Sequence, residues 1–403
     1  MGDVSVADDE LVAPAIALQP LVRECADEAE AARTLPRRVV TAMAEAGLFH
    51  TCVARSCGGF EARPTTAIRV IEAISEADGA AGWTLMIGIE SLGLASGAMP
   101  TETAAMLIGP TTTMAGALNP LGRARRVPGG WRVDGRWPFA SGCCHADYYT
   151  AGCLLDDEDG EPIRAGDDGA PAGVIAALAG TRTSREMYVP AGEFEILDTW
   201  SVAGLRGSGS HDVAVHDVFV PHERTSSILF EPAVEQGTLF RMPVFSRLAY
   251  NKVGVATGIA RAAINHFVAL ANEKRPVGSR DLLRERASAQ AALARAEWLL
   301  ESGRAAVFAI AEAMWDAVEA GEPVTLEQRA RLRLACSSAV GAATEAVDMV
   351  HTAGGASVNY TRSPLERCFR DVHVVPQHIM VTPQVGEAAG RVFLGMDPGM
   401  VTL

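Results

Sequence analysis

Three stretches of the chain hold residues whose types and spacing could do chemistry. The first is Trp137-Pro138-Phe139-Ala140-Ser141-Gly142. On a strand, Phe139 and Ser141 would face one side, because side chains alternate along an extended backbone. A ring beside a hydroxyl can lie against a flat heterocycle while the hydroxyl bonds a ring nitrogen. Ordinary sheet packing is the competing reading. The second is RDVHVVPQHIMVTP, residues 370–383, apolar around His373 and His378, with Pro376 barring a helix. A histidine there is expected to titrate near neutrality and act as acid or base, unless it is a satisfied core residue. The third is Gly207-Ser208-Gly209-Ser210. It invites a phosphate-loop reading, but the G-x-G-x-x-G spacing fails and strand-like HDVAVHDVFV follows where a helix would be needed. A tight turn before a strand is expected instead.

Other constellations fall away. His211, His216 and His222 are five and six residues apart and lack convergent partners, so no metal site is expected. The eight cysteines form no C-x-x-C pair and read as reduced thiols of a cytoplasmic protein. No G-x-S-x-G elbow is present. Lys252 and Lys274 are the only lysines, which reads as compositional bias toward arginine. The 403 residues carry 35 basic and 49 acidic side chains, a net charge of −14. That balance argues against nucleic acid and against an anionic membrane surface as partners. No apolar run approaches the ~20 residues of a membrane span, and the N-terminal stretch is acidic where a secretory signal would be basic.

The elements that must position these residues fall into three regions. Residues 1–113 read as helices. RRVVTAMAEAGLF has apolar Val39, Val40, Met43 and Leu48 at helical spacing, stopping near Gly47. Thr65 or Thr66 is expected to cap AIRVIEAISEAD. GAAGWTLMIGIESLGLASGAM is small and apolar on all sides, the mark of a buried helix or a cavity wall, with Trp83 as a candidate lining residue. Residues 114–226 switch to short runs rich in β-branched and aromatic residues, GGWRVDGRW, PAGVIAAL, REMYVP and HDVAVHDVFVP, and predict a small antiparallel sheet. Residues 156–172 read as a polar excursion. Residues 227–403 are helical again, with a helix of about 30 residues from Ala287 and another ended by Gly354-Gly355. Arg280 precedes the first of these and could hold a phosphate, or merely sit at a solvated helix start. A fold alternating β and α throughout is excluded by this order.

With GGWRVDGRWPFASG, DTWSVAGLRGSGSHDVAVHDVFVP and HTAGGASVNYTRSPLERCFRDVHVVPQH in this order, the chain resembles the acyl-CoA dehydrogenase superfamily from about Leu35 to Gly395. The resemblance implies a mainly α fold: N-terminal helical domain, β-barrel-like middle domain, C-terminal four-helix bundle. In the dehydrogenases a Trp-x-Thr touches the flavin; the matching residues here are Phe139 and Ser141. The dehydrogenase Glu, followed by Gly-Thr, is missing after Arg370-Asp371, where Ile379-Met380-Val381 stands, preceded by His378. His378 with Phe139-Ala140-Ser141-Gly142 resembles the flavin-dependent monooxygenase branch, oxygenase components of two-component hydroxylases.

That branch implies reduced flavin, FMN or FAD, reacting with O2 to a C4a-hydroperoxide that hydroxylates a small substrate, first an aromatic or polycyclic phenol. It implies a separate NAD(P)H-dependent flavin reductase and a homotetramer. Ser141 would accept from flavin N5–H, Phe139 and Trp83 would flank the flavin, and His378 would deprotonate a phenol or assist proton transfer, with His145 a second candidate. Gly354 and Gly355 would lie near the flavin's tail at a subunit interface, with His351 where dehydrogenases often carry Gln. The alternatives are an acyl-CoA dehydrogenase with an unusual base, an N-hydroxylase of an amine or amino sugar, and a non-catalytic scaffold.

Overall fold

A computed structural model of the chain describes residues 4–164 and 182–403, the first seven by backbone alone. The expected strand at 171–178 and residues 165–172 of the polar excursion lie outside these residues. Five helices come first: α1 (Val4–Ala32), α2 (Arg37–Glu45), α3 (Pro64–Ala77), α4 (Gly79–Ala98) and α5 (Thr101–Leu107). Seven strands follow: β1 (Met114–Val127), β2 (Gly130–Trp137), β3 (Tyr148–Asp156), β4 (Ser184–Pro190), β5 (Glu195–Leu197), β6 (Asp212–Pro221) and β7 (Thr225–Ser226). Six helices complete the chain: α6 (Thr238–Arg241), α7 (Val244–Glu273), α8 (Ala287–Glu319), α9 (Leu326–Gly354), α10 (Pro364–Val372) and α11 (Gln384–Phe393).

The expected helical cap at Thr65 or Thr66 is not there. Pro64 occupies the first helical position of α3, so Arg63 is the cap residue, and Thr65 Oγ1 donates instead to Glu312 Oε1 of α8 at 2.6 Å. The all-round apolar α4 is buried over almost its whole length, as its sequence requires, and Asp78 caps it by accepting from Ala81 N at 2.8 Å. Glycines at its two ends admit two different helices. A Cβ on Gly79 would meet Ile259 of α7, and one on Gly97 would meet Phe240 of α6. By length and composition alone α7 could cross a membrane, but two thirds of its apolar window is buried within the chain. α8 and α9 have the expected lengths, and Gly355, at φ 68°, ends α9. Helices from both ends of the chain share one hydrophobic core, whereas the sheet encloses a core of its own around Trp137 and Tyr149.

The sheet is mixed rather than antiparallel. Its order is β5-β6-β2-β1-β3-β4-β7, and β3 lies parallel to β1. The chain leaves β2, passes over the start of β1 and enters β3 on the far side. Asp147 N donates to Thr113 O, and Thr113 Oγ1 to His145 O, tying that crossing down at 2.9 and 2.6 Å. Residues 138–147, which make the crossing, contain Phe139, Ser141 and His145.

Candidate active site

β2 stops at Trp137 because Pro138 has no N–H to donate. The strand-face pairing of Phe139 with Ser141 is therefore not realised. Phe139 takes φ 61° and is 71 % exposed, with its ring edge-on to Trp200 at 6.3 Å. Ser141 turns the other way and is buried. A non-glycine residue in the left-handed region is costly and marks a backbone held by its surroundings. Here Ala140 N donates to His211 O at 2.9 Å and Gly142 N to Ser208 O at 3.0 Å, so the GSGS turn clamps this loop.

That turn is more than a turn. Trp83 Nε1 donates to Ser141 Oγ at 2.9 Å, Ser141 Oγ meets Ser210 Oγ at 2.7 Å, and Ser210 Oγ meets Ser208 Oγ at 2.8 Å. Ser208 Oγ donates to Leu205 O at 2.8 Å. A hydroxyl has one hydrogen and two lone pairs. Ser208 has spent its hydrogen, so it accepts from Ser210; Ser210 therefore accepts from Ser141. The chain runs one way, from the indole N–H to the Leu205 carbonyl, and leaves Ser141 a single free lone pair. Leu205, at φ 51°, is fixed by Asp371, which accepts from its N–H at 2.6 Å. A Cβ on Gly204 would sit 2.2 Å from Arg370 O, so α10 can dock there only against glycine. Burial, then the nearby Asp78, raises the Asp371 carboxyl to about 7.

The indole of Trp83 also meets His378, edge-on, with ring centroids 5.7 Å apart. Trp83, Ser141 and His378 thus come together from α4, the β2–β3 crossing and the loop after α10. His378 does not titrate near neutrality as expected. Burial pushes its pKa well below the usual value, and the charges of Lys252 and Arg333 push the same way. Met380 N donates to Nδ1 at 3.2 Å, so the neutral ring carries its proton on Nε2.

Lys252 is itself buried, in an ion pair with Glu90 of α4. Neither was singled out by sequence, although Lys252 is one of only two lysines. The other, Lys274, donates to Gly354 O and to Ser357 Oγ, the latter at 2.6 Å, and anchors the end of α9. Gly354, Gly355 and Lys274 form a second group. Arg280 lies exposed in the α7–α8 loop that begins at Lys274, and no hydrogen bond or ion pair links it to Trp83, Ser141 or His378. His145 turns to Thr34 Oγ1 at 3.1 Å. His351 stacks on Phe369 at 4.4 Å, with His373 on that ring's other contact at 4.6 Å. Among the described residues no group of three or more His, Cys, Asp and Glu could hold a metal ion.

Helical regions at both ends of the chain with one mixed sheet between them form the acyl-CoA dehydrogenase architecture. Residues 17–99 match the acyl-CoA dehydrogenase N-terminal domain and residues 251–383 the C-terminal domain. The indole-3-acetate monooxygenase of Pseudomonas putida is 33 % identical over 368 residues, 91 % of this chain and 89 % of that protein. The flavin-dependent monooxygenase oxygenase subunit HsaA of Rhodococcus jostii is 29 % identical, covering 91 % and 94 %. Among solved structures, XiaF from Streptomyces sp. in complex with FADH2 and glycerol superposes with a TM-score of 0.88 at 25 % identity, over 98 % of each chain. The chain belongs to the acyl-CoA dehydrogenase family, in its flavin-dependent monooxygenase branch.

Proposed function

We propose that this chain is the oxygenase component of a two-component system that hydroxylates a small aromatic substrate with reduced flavin, FMN or FAD, and O2. The observation that carries this reading is the direction of the serine chain. Oxidised flavin offers a lone pair at N5, whereas reduced flavin offers an N–H. Ser141 has its hydrogen committed to Ser210 and one lone pair free, so it fits the reduced form and not the oxidised one. Bound reduced flavin supplies the electrons that allow one atom of O2 to enter the substrate. Ser141 holds N5–H, Trp83 fixes Ser141 and walls off water, and the exposed ring of Phe139 offers an apolar face to the flavin. His378, neutral and protonated on Nε2, donates to the reacting oxygen; acting as a base at Nε2 would first require the other tautomer and loss of the Met380 bond.

A protein that prefers reduced flavin needs a separate NAD(P)H-dependent flavin reductase to deliver it. The Gly354-Gly355 end, with Lys274 and the Arg280 loop beside it, suits the flavin's tail across a subunit interface of a homotetramer. A cytoplasmic setting fits the free thiols. A relative named for indole-3-acetate and one named for resorcinol favour an aromatic ring over an amine or amino sugar. Turnover under 18O2 with chemically reduced FMN or FAD and a panel of indoles and phenols should yield product carrying one labelled oxygen. Anaerobic bleaching of bound oxidised flavin by an acyl-CoA would establish the dehydrogenase instead, and absence of flavin binding a scaffold.

A further inference from the structure

At the far end of α4 from Trp83 lies a cavity of about 470 Å³. Its walls come from α4, α6, the start of α7 and the α8–α9 loop, with Leu94, Phe240, Met242, Val318 and Val324 among the apolar lining. Arg247 of α7 also lines it and is 8 % exposed. Among the described residues its guanidinium has no ion pair and no side-chain hydrogen bond; it lies over the Phe240 ring, 5.2 Å from the centroid. With no acceptor supplied by the described residues, its N–H donors are left to whatever occupies the cavity.

The rest of the wall does not neutralise it. Glu231 is held by Arg185, and Glu322 is exposed at the rim, while Arg241 and Arg329 add two more guanidinium groups. Glu90 is close enough to be influenced by Arg247, but its carboxylate is bound to Lys252. An apolar chamber with one unspent buried guanidinium matches a ligand with an apolar body and one anionic end. Trp83 and Leu94 are eleven residues apart on α4, about 16 Å at 1.5 Å per residue. None of Trp83, Ser141 and His378 is among the residues that line it.

We propose that this cavity is a second ligand site, separate from the flavin site, that binds a small aromatic carboxylate through Arg247. A planar guanidinium fork recognises a carboxylate by two parallel hydrogen bonds, and the ring body fills the apolar lining.

Calorimetric titration of the full-length protein with 2-naphthoate and with uncharged 2-naphthamide tests this. The naphthoate should bind at one site per chain, and the amide at least about tenfold more weakly. Arg247→Met should weaken the naphthoate by about tenfold or more and leave the amide unchanged, with Arg247→Lys recovering part of the loss. Val324→Trp, a change on the α8–α9 loop that fills the chamber, should abolish binding of both even if Arg247→Met fails to fold. Ser141→Ala, in the flavin site, should leave naphthoate binding as it is. Equal affinity for the two probes, no binding by the wild type because a second copy of the chain covers the cavity, or retention of the naphthoate by Val324→Trp would overturn the proposal. So would loss of the naphthoate in Ser141→Ala.

Discussion

Around Ser141 each hydroxyl hydrogen has a destination within the same chain, and Ser141 itself keeps one free lone pair. The end of α9 is the reverse. Gly355 and Ser357 are exposed there, and Lys274 is the cation that holds the turn. The first region has its hydrogen bonds made within the chain and, on the proposed reading, is suited to govern chemistry at a reactive atom. The second is open to solvent and, on the proposed reading, suited to a longer, charged portion of the cofactor. On the proposed function, reaction and redox preference belong to the Trp83–Ser141–His378 side, and simple affinity to the Gly354–Lys274 side.

Substitutions can break that division. The largest effect is expected at His378. His378→Ala should cut hydroxylation by on the order of 10²-fold, the scale of losing a proton donor, and release more H2O2 per product, while reduced-flavin affinity stays within about twofold. Loss of flavin binding in this variant would make His378 a structural residue. Since its pKa is held well below the usual imidazole value, the wild-type rate should show no inflection near pH 6.5 from this group. Ser141→Ala should weaken reduced flavin by roughly 2- to 10-fold, the worth of one hydrogen bond, and leave oxidised flavin unaffected. Lys274→Met should weaken both redox forms alike, by a few-fold, since its ammonium acts away from N5. A change in the ratio of the two affinities would contradict the division.

Much of this was legible in the chain and some of it was not. Local physics announced the elements: the uniformly apolar α4 had to be buried, and Gly355 had to end α9. Trp83, Ser141 and His378 could be picked out because each is a chemically marked residue in an apolar stretch. Ser208 and Ser210 could not. Their turn was evident from Gly and Ser, but their hydroxyls acquire meaning only when β6 pairs with β2 and brings them to Ser141, almost 70 residues earlier. The left-handed turn at Phe139 is set by the same long-range clamp and overrides the strand alternation. Lys252 and Lys274 did leave a signal. In a chain that otherwise uses arginine, two lysines stand where a compact ammonium is needed, one against Glu90 and one in the turn after α9.

The smallest expected effect concerns the support of the serine chain. Asp371, raised to about 7, keeps its proton in the folded state where an unfolded aspartate, near 3.9, has lost it. Its contribution to stability is present at low pH and falls as pH rises from about 4 through 7. Asp371→Asn can still accept from Leu205 N and has no proton to lose. Relative to the wild type, its melting temperature should therefore rise by a few degrees between pH 5 and 7. Glu186, raised to about 7 by burial, is present in both proteins and cancels from the difference.

The claim that the serine chain selects the redox state of the cofactor is tested most directly by flavin affinity in the wild type and in Ser210→Ala. Dissociation constants for FMN and FAD, each oxidised and each reduced under anaerobic conditions, supply the comparison. Removing the Ser210 hydroxyl frees the Ser141 hydrogen to point at the flavin, so Ser141 can then donate to N5 as well as accept from it. The expected result is a wild type that prefers the reduced form by about tenfold or more, and a variant whose preference shrinks because oxidised flavin binds more tightly. Equal affinities in the wild type, or a preference unchanged by Ser210→Ala, would contradict it.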